Sequence, residues 1–329
     1  MKSNKLSIIL ILLVLAISSC SMMISGKISF EYEKTPPNSG FKMEGYWIWC
    51  GSVIKVDSVY HLFASRWPKS GPFPEGYRTN SEIVRATSTS AVGPYKFEEV
   101  VIGQRDSTFW DSNMAHNPTI HKIGDDFVLF YIGSDFTTCQ SQSKSLLRRV
   151  GYASSKSVSG PWIRSEKPLI NQESNNPAVL VENGNLKLMF RDSKLRVFIA
   201  EARNYAGPYK ISNENVWPSS PLEDFYLFKA NHEYHLLCED NVGAVSRHVR
   251  WGVHLCSNNG LTDWKKGEPL IVYNHEIELS DGNVIHCKRR ERPQLIIGNN
   301  RITCLITSVY DGNNSWSQPV KLKYPIPLD

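Results

Sequence analysis

The chain has 329 residues, of which 21% are charged, and carries a net charge of +5. So small a positive balance does not imply a nucleic-acid partner, and no basic helix or RNA-binding signature accompanies it. Beyond the first twenty residues no stretch is apolar enough to cross a bilayer.

The N-terminus reads as an export signal. Lys2 and Lys5 precede the apolar run "LSIILILLVLAI", which is too short for a comfortable membrane span, and small residues follow. The sequence Ile17-Ser18-Ser19-Cys20 resembles a bacterial lipobox. The expectation is a signal peptide over residues 1–19, lipidation at Cys20, and a mature lipoprotein in the periplasm or on the outer-membrane surface. Residues 20–40 read as a linker and residues 41–329 as one domain. Cys50, Cys139, Cys238, Cys256, Cys287 and Cys304 show no zinc-type C-x-x-C spacing. Several sit in strand-like apolar runs, so free and mostly buried thiols are expected.

From residue 49 onward one pattern recurs five times: a polar start, an apolar strand, a tight turn and a second strand. The copies span 49–67, 116–135, 175–193, 223–240 and 291–311. Gly124-Asp125, Asn183-Gly184 and Asn299-Asn300 fall midway, where a hairpin turn requires positive φ. A second half-repeat follows, with a Gly-Pro corner in "ATSTSAVGPYKF", "YASSKSVSGPWI" and "IAEARNYAGPYK", and looser copies in "LCSNNGLTDWKK" and "SWSQPVKL". Two hairpins per repeat make a four-stranded antiparallel blade. Five blades predict an all-β, five-bladed β-propeller. No long segment has helical periodicity.

In such a ring the start of each first strand and the end of each second strand share one face. That places Trp49-Cys50, His116-Asn117, Asn175-Asn176, Glu223-Asp224 and Glu291-Arg292 around a mouth. Arg66-Trp67, Asp135, Arg191-Asp192, Glu239-Asp240 and Asp311 join them. Convergent carboxylates beside tryptophans suit glycan chemistry, in which one acid protonates the leaving oxygen while another activates water or attacks. Asp224 and Glu291 are the expected catalytic pair, with Glu223 as orienter. Trp47, Trp49, Arg66, His116, Asn117, Asn176, Arg191, Asp192, Glu239 and Arg292 are candidate substrate-binding residues. The basic residues of the mouth point to an acidic, sulfated or heavily hydroxylated glycan. They equally allow rim ion pairs with Glu291, Glu239 and Asp240. No metal is expected.

The motifs "MAHNPTIHK", "NNPAVLV", "LEDFYLFK" and "SDGNVIHCKRRERPQLI", in that order, resemble the five-bladed glycoside hydrolases related to families 43, 32, 68 and 117. The likeness runs from about residue 40 to the C-terminus, and is nearest to exported bacterial family 43-like proteins. It implies an exo-acting hydrolase without an obligatory cofactor, monomeric or dimeric. It also implies an aspartate base on the first strand of blade one, where this chain has Trp47-Ile48-Trp49-Cys50. Family 117 members use a histidine acid, which makes His116 and His286 candidates. A carbohydrate-binding propeller that has lost catalysis is the alternative, and an interaction scaffold a weaker third.

Overall fold

The computed structural model describes residues 28–135 and 147–329. Cys20 and Cys139 lie outside the described residues. Within them, no helix is long and apolar enough to cross a membrane. The elements are almost entirely strands, joined in antiparallel order. Blade one is β1 (Tyr46–Val56), β2 (Val59–Pro68), β3 (Glu82–Ser88) and β4 (Lys96–Ile102), and blade two is β5 (Met114–Ile123), β6 (Asp126–Ser134), β7 (Arg149–Ser155) and β8 (Ile163–Arg164). Blade three is β9 (Asn175–Glu182), β10 (Asn185–Arg191), β11 (Val197–Ala202) and β12 (Lys210–Asn213), and blade four is β13 (Leu222–Ala230), β14 (Glu233–Asp240), β15 (Gly252–Ser257) and β16 (Lys265–Tyr273). A small hairpin, β17 (Glu276–Glu278) and β18 (Val284–His286), leads to blade five, which is β19 (Arg289–Gly298), β20 (Arg301–Tyr310) and β21 (Ser315–Pro327).

The first strands contact one another in a closed cycle: β1 with β5, β5 with β9, β9 with β13, β13 with β19, and β19 with β1. That cycle makes five flat sheets a propeller. The turn chemistry inside the blades follows the sequence. Asn183 and Gly184, Asn231 and His232, and Asn299 and Asn300 all take positive φ, as two-residue hairpin turns demand.

Blade five has three regular strands, and the N-terminal segment supplies its outer edge. Tyr32 bridges Leu322 and Phe41 bridges Ser317, both antiparallel. Backbone bonds from Glu33 to Lys321, from Lys323 to Glu31, and between Phe41 and Ser317 tie the segment down. Residues 28–40, expected as a linker, therefore cover an edge strand that would otherwise offer unpaired backbone groups.

Strand alternation decides which interface each side chain fills, because successive residues point to opposite faces. On β6, Val128, Phe130 and Ile132 pack toward blade three, beside Leu188 and Phe190. Phe127, Leu129 and Tyr131 pack toward blade one, beside Phe63 and Ile83. Equivalent clusters join blades three and four around Phe225 and Leu236, and blades four and five around Leu237 and Leu305. The ring closes between blades five and one, where Ile306 and Ile296 meet Ile48, Leu62 and Phe41. Cys50, Cys238, Cys256, Cys287 and Cys304 are buried free thiols, as their apolar settings predict.

Candidate functional site

At the same point in every blade the register between the first two strands slips. The shifts lie at Trp49/Ser52, His116/Thr119, Met189/Arg191, Glu223/Tyr226 and Glu291/Gln294. Each is a β-bulge, and its first-strand residue takes left-handed φ: Cys50 57°, Asn117 54°, Asn176 54°, Asp224 59° and Arg292 57°. Asn and Asp tolerate this region, whereas Cys and Arg are held there at a cost by their surroundings. Some of the backbone groups freed by the bulge are met by serines of the preceding blade. Cys50 N donates to Ser308 Oγ (2.6 Å) and Asn117 N to Ser65 Oγ (3.1 Å).

The bulge has a chemical consequence. In a regular strand Glu223 and Asp224 would face opposite sides. Here both line one cavity of about 340 Å³, as do the pairs His116 and Asn117, and Asn175 and Asn176. Trp49, Trp67 and Tyr77 form aromatic walls. Tyr77 stacks on His116 at 4.5 Å between ring centres, and Arg148 Nη1 donates to the Tyr77 hydroxyl at 3.0 Å.

The acids all come from blades four and five. Oxygens of Asp224, Glu239 and Glu291 lie within 4.8 Å of one another. Arginines hold most of this negative charge. Glu291 takes a two-pronged contact from Arg289 (2.5 and 3.1 Å) and a third bond from Arg250 (2.8 Å). Arg250 also donates to Glu239 Oε1 (2.8 Å). Glu223 accepts from Arg191 (2.5 Å) on one oxygen and from the Asn241 amide on the other. Asp224 is treated differently: it accepts from the Asn176 amide, and Arg292 Nη1 stands off at 3.8 Å.

Burial therefore dominates at Asp224 and pushes its carboxyl up to about 6, against the opposing pull of Arg292, with Glu223 and Glu291 adding to the rise. Glu239, completely enclosed, is also driven well above the carboxylate range by burial and by the neighbouring acids. His116 moves the other way. Burial, then Arg292 and Arg148, lower it to about 3, so its ring is neutral, with Nδ1 held to Ser81 Oγ at 2.8 Å. A ring of that kind does not carry the second proton of an imidazolium at physiological pH.

Among the residues singled out from sequence, Trp49, His116, Asn117, Asn176, Arg191, Glu223, Asp224 and Glu291 line the cavity. Arg292 is wholly buried in the axial channel and donates to the carbonyls of Pro177 (3.0 Å) and Asn117 (3.5 Å), so it acts on Asp224 from below. Glu239 lies under the floor. Trp47 stands behind the wall, donating to Gly71 O (2.9 Å) and packing on Phe73 and Tyr310. Arg66 pairs with Glu82 (2.8 Å) over the Tyr46 ring, away from the cavity. Asp192 anchors its own turn through Lys194 N and Arg196, and Asp240 does the same for residues 244–246. His286 is exposed on the small hairpin beside Glu276.

Arg78 and Tyr77, on the short α1 (Tyr77–Asn80), and Arg148 also line the cavity. All three lie outside the repeat; Arg78 is nonetheless one of the basic residues expected at the mouth from sequence, whereas alignment of the five copies carries no signal for Tyr77 or Arg148. The same is true of Arg250, which bridges the acids from the 241–251 loop.

No family model matches the chain, and no curated relative matches it. Solved structures do. Zg3597, a family 117 glycoside hydrolase from Zobellia galactanivorans, aligns with a TM-score of 0.63 at 15% identity over 88% of each chain. The α-L-arabinofuranosidase PaAbf62A from Podospora anserina, solved with cellotriose, aligns at 0.62 and 13% identity over 90% of this chain and 98% of that one. CoXyl43, a family 43 β-xylosidase/α-arabinofuranosidase from a compost metagenome solved with xylotriose, aligns at 0.63 and 13% identity over 89% and 95%. At this identity the shared property is the five-bladed fold.

Proposed function

We propose that the protein is a glycoside hydrolase that removes a terminal unit from an oligosaccharide, as an exported lipoprotein anchored at Cys20. The observation that carries this reading is the division of labour among the cavity acids. Asp224, raised to about 6, is a carboxylic acid able to hold its proton near neutral pH. Glu223 and Glu291 lie beside it in arginine contact. A carboxyl raised in this way is the usual general acid of sugar hydrolysis, with a second carboxyl nearby as its partner. In this scheme Asp224 protonates the leaving oxygen. Glu223, whose Oε1 accepts from the Asn241 amide and stands 3.9 Å from Arg250 Nη1, supplies the opposing negative charge or activates water. Glu291, gripped by Arg289 and Arg250, keeps the local field fixed and orients both arginines. The aromatic walls provide a platform for a ring, and a cavity of about 340 Å³, open on one side, has the size of one sugar unit. Arg78 adds a cation to the lining beyond Arg191, Arg289 and Arg148, which pair with Glu223, Glu291 and Glu173, and favours an acidic unit.

The test separates acid from base by leaving group. Asp224→Asn should lose about 10²–10⁴-fold on natural glycosides yet keep most of its rate on nitrophenyl glycosides, whose leaving group needs no proton. Glu223→Gln should lose both. Equal loss by Asp224→Asn on the two substrate types would remove Asp224 from the acid role.

One observation supports a second reading, a non-catalytic glycan-binding propeller. Blades one, two and three present Cys50, Asn117 and Asn176 at the bulge positions, so among the described residues no bulge carboxylate faces the acids from the far side. The Cys50 thiol instead donates to Asn117 Oδ1 at 2.6 Å, and burial holds it well above the usual thiol range. Sugar-induced thermal stabilisation without any product would favour this reading.

A further inference from the structure

The run "RRER" on β19 distributes its side chains by strand alternation. Arg289 and Glu291 face the central cavity, while Arg290, between them, points to the other side of the sheet. There it lines a second cavity of about 400 Å³, walled by the N-terminal segment, blade four and the β17–β18 hairpin. Arg290 is 2% exposed, and its partners among the described residues are all neutral. Nε donates to Thr307 Oγ1 (3.1 Å), and Nη1 donates to the carbonyls of Asn274 (3.1 Å) and Glu276 (3.0 Å). Its Nη2 has no partner. Tyr273 and Thr35, which also line the cavity, each carry a buried hydroxyl that has no partner among the described residues.

We infer that this cavity is a second ligand site, which takes a hydroxylated carboxylate of monosaccharide size, such as a uronate, with the carboxylate on Arg290 Nη2 and the Tyr273 and Thr35 hydroxyls. A guanidinium buried without a counter-charge is unfavourable until an anion meets it. Burial itself lowers the Arg290 pKa, with only Tyr32, Cys287 and Tyr273 acting against that. The acids of the rim do not fill the role. Glu33 pairs with Lys321 (3.0 Å), Glu276 with His286 (3.3 Å), and Glu278 is exposed. Lys323 on the rim is 3.7 Å from Glu31. The floor is preorganised: the Tyr273 ring lies on Gly252, where a Cβ would come within 2.1 Å of it. Aromatic surface from Trp251, Phe30 and Tyr273 lines the remainder and suits a sugar ring. This inference stands apart from the catalytic reading of the central cavity.

Calorimetric titration of the full chain with D-glucuronate and with D-glucose tests it. Glucuronate should bind at least about tenfold more tightly than glucose. Tyr273→Phe and Thr35→Ala, which each remove one hydroxyl, should each weaken glucuronate by about five- to tenfold. Arg191→Ala, in the central cavity, should leave unchanged the component of glucuronate binding that Tyr273→Phe and Thr35→Ala weaken, whatever it does to binding in the central cavity itself. Equal affinity for the two sugars, absence of glucuronate binding at millimolar concentration, or binding that Arg191→Ala abolishes while Tyr273→Phe and Thr35→Ala spare it would each overturn the assignment.

Discussion

Asp224→Asn changes how stability depends on pH, and the size of the change follows from the site. The carboxyl titrates at about 6 in the folded protein against 3.8 for the free group. Between those values the native state holds a proton that the unfolded chain has released. Stability from this group is therefore complete below pH about 3.8 and is lost as pH rises through about 6. The gap of roughly two units is worth about 3 kcal/mol. Asparagine fills the same space, accepts from the Asn176 amide, and has no proton to lose. Urea unfolding of both proteins at pH 4 and pH 8 measures the effect. Because the unfolded carboxyl is already about half ionised at pH 4, the wild type minus Asp224→Asn difference should fall by about 2–2.5 kcal/mol from the lower pH to the higher. Glu239 titrates in the same direction in both proteins and is coupled to Asp224, so the number belongs to the cluster rather than to one carboxyl. A difference that is unchanged within about 1 kcal/mol, or that grows with pH, would refute the claim that burial outweighs Arg292 at this site.

Arg292→Met removes the cation that pulls Asp224 downward. The alkaline limb of the pH–rate profile should move up by about one unit or more, while an unmoved limb would show that Arg292 only fills the channel. Phe41→Ala cuts the N-terminal segment out of the closing interface, where Phe41 is 1% exposed among Ile48, Ile296 and Ile306. It should cost about 3–5 kcal/mol in urea unfolding, and a loss under about 1 kcal/mol would mean the segment does not help close the ring. The thiols of Cys50, Cys238, Cys256, Cys287 and Cys304 should resist a thiol reagent in the folded protein and react once it is denatured. Rapid native labelling of any of the five, located by mass spectrometry, would contradict their burial.

The blades were legible because hairpin turns and apolar alternation repeat at every copy. The strand pairs observed at 46–68, 114–134, 175–191, 222–240 and 289–310 overlay the repeats read from residues alone. The edge of blade five was not legible, since residues 28–41 carry no repeat and pair with a strand nearly three hundred residues away. At the site the five strand-opening pairs pointed to the mouth, but strict alternation would have sent only one member of each pair there. The bulge, which has no common residue type among Cys50, Asn117, Asn176, Asp224 and Arg292, brings both members to the cavity in blades two, three and four. Arg66 and Asp192 share strand-two ends with true lining residues such as Trp67 and Arg191. Their ion pairs, with Glu82 on the next strand and Arg196 in a local turn, take them out of the cavity. The basic run before Gln294 proved to be three different things: a clamp on Glu291, a plug in the channel, and the floor of a second cavity.

The most direct measurement is product analysis of a panel of neutral and acidic oligosaccharides incubated with the wild-type protein and with Asp224→Asn. The wild type should release a single terminal monosaccharide, from acidic members in preference to neutral ones, and Asp224→Asn should release none on the same timescale. Oligosaccharides that bind and stabilise the wild type yet are recovered intact would contradict the catalytic reading, and would assign the propeller to glycan binding.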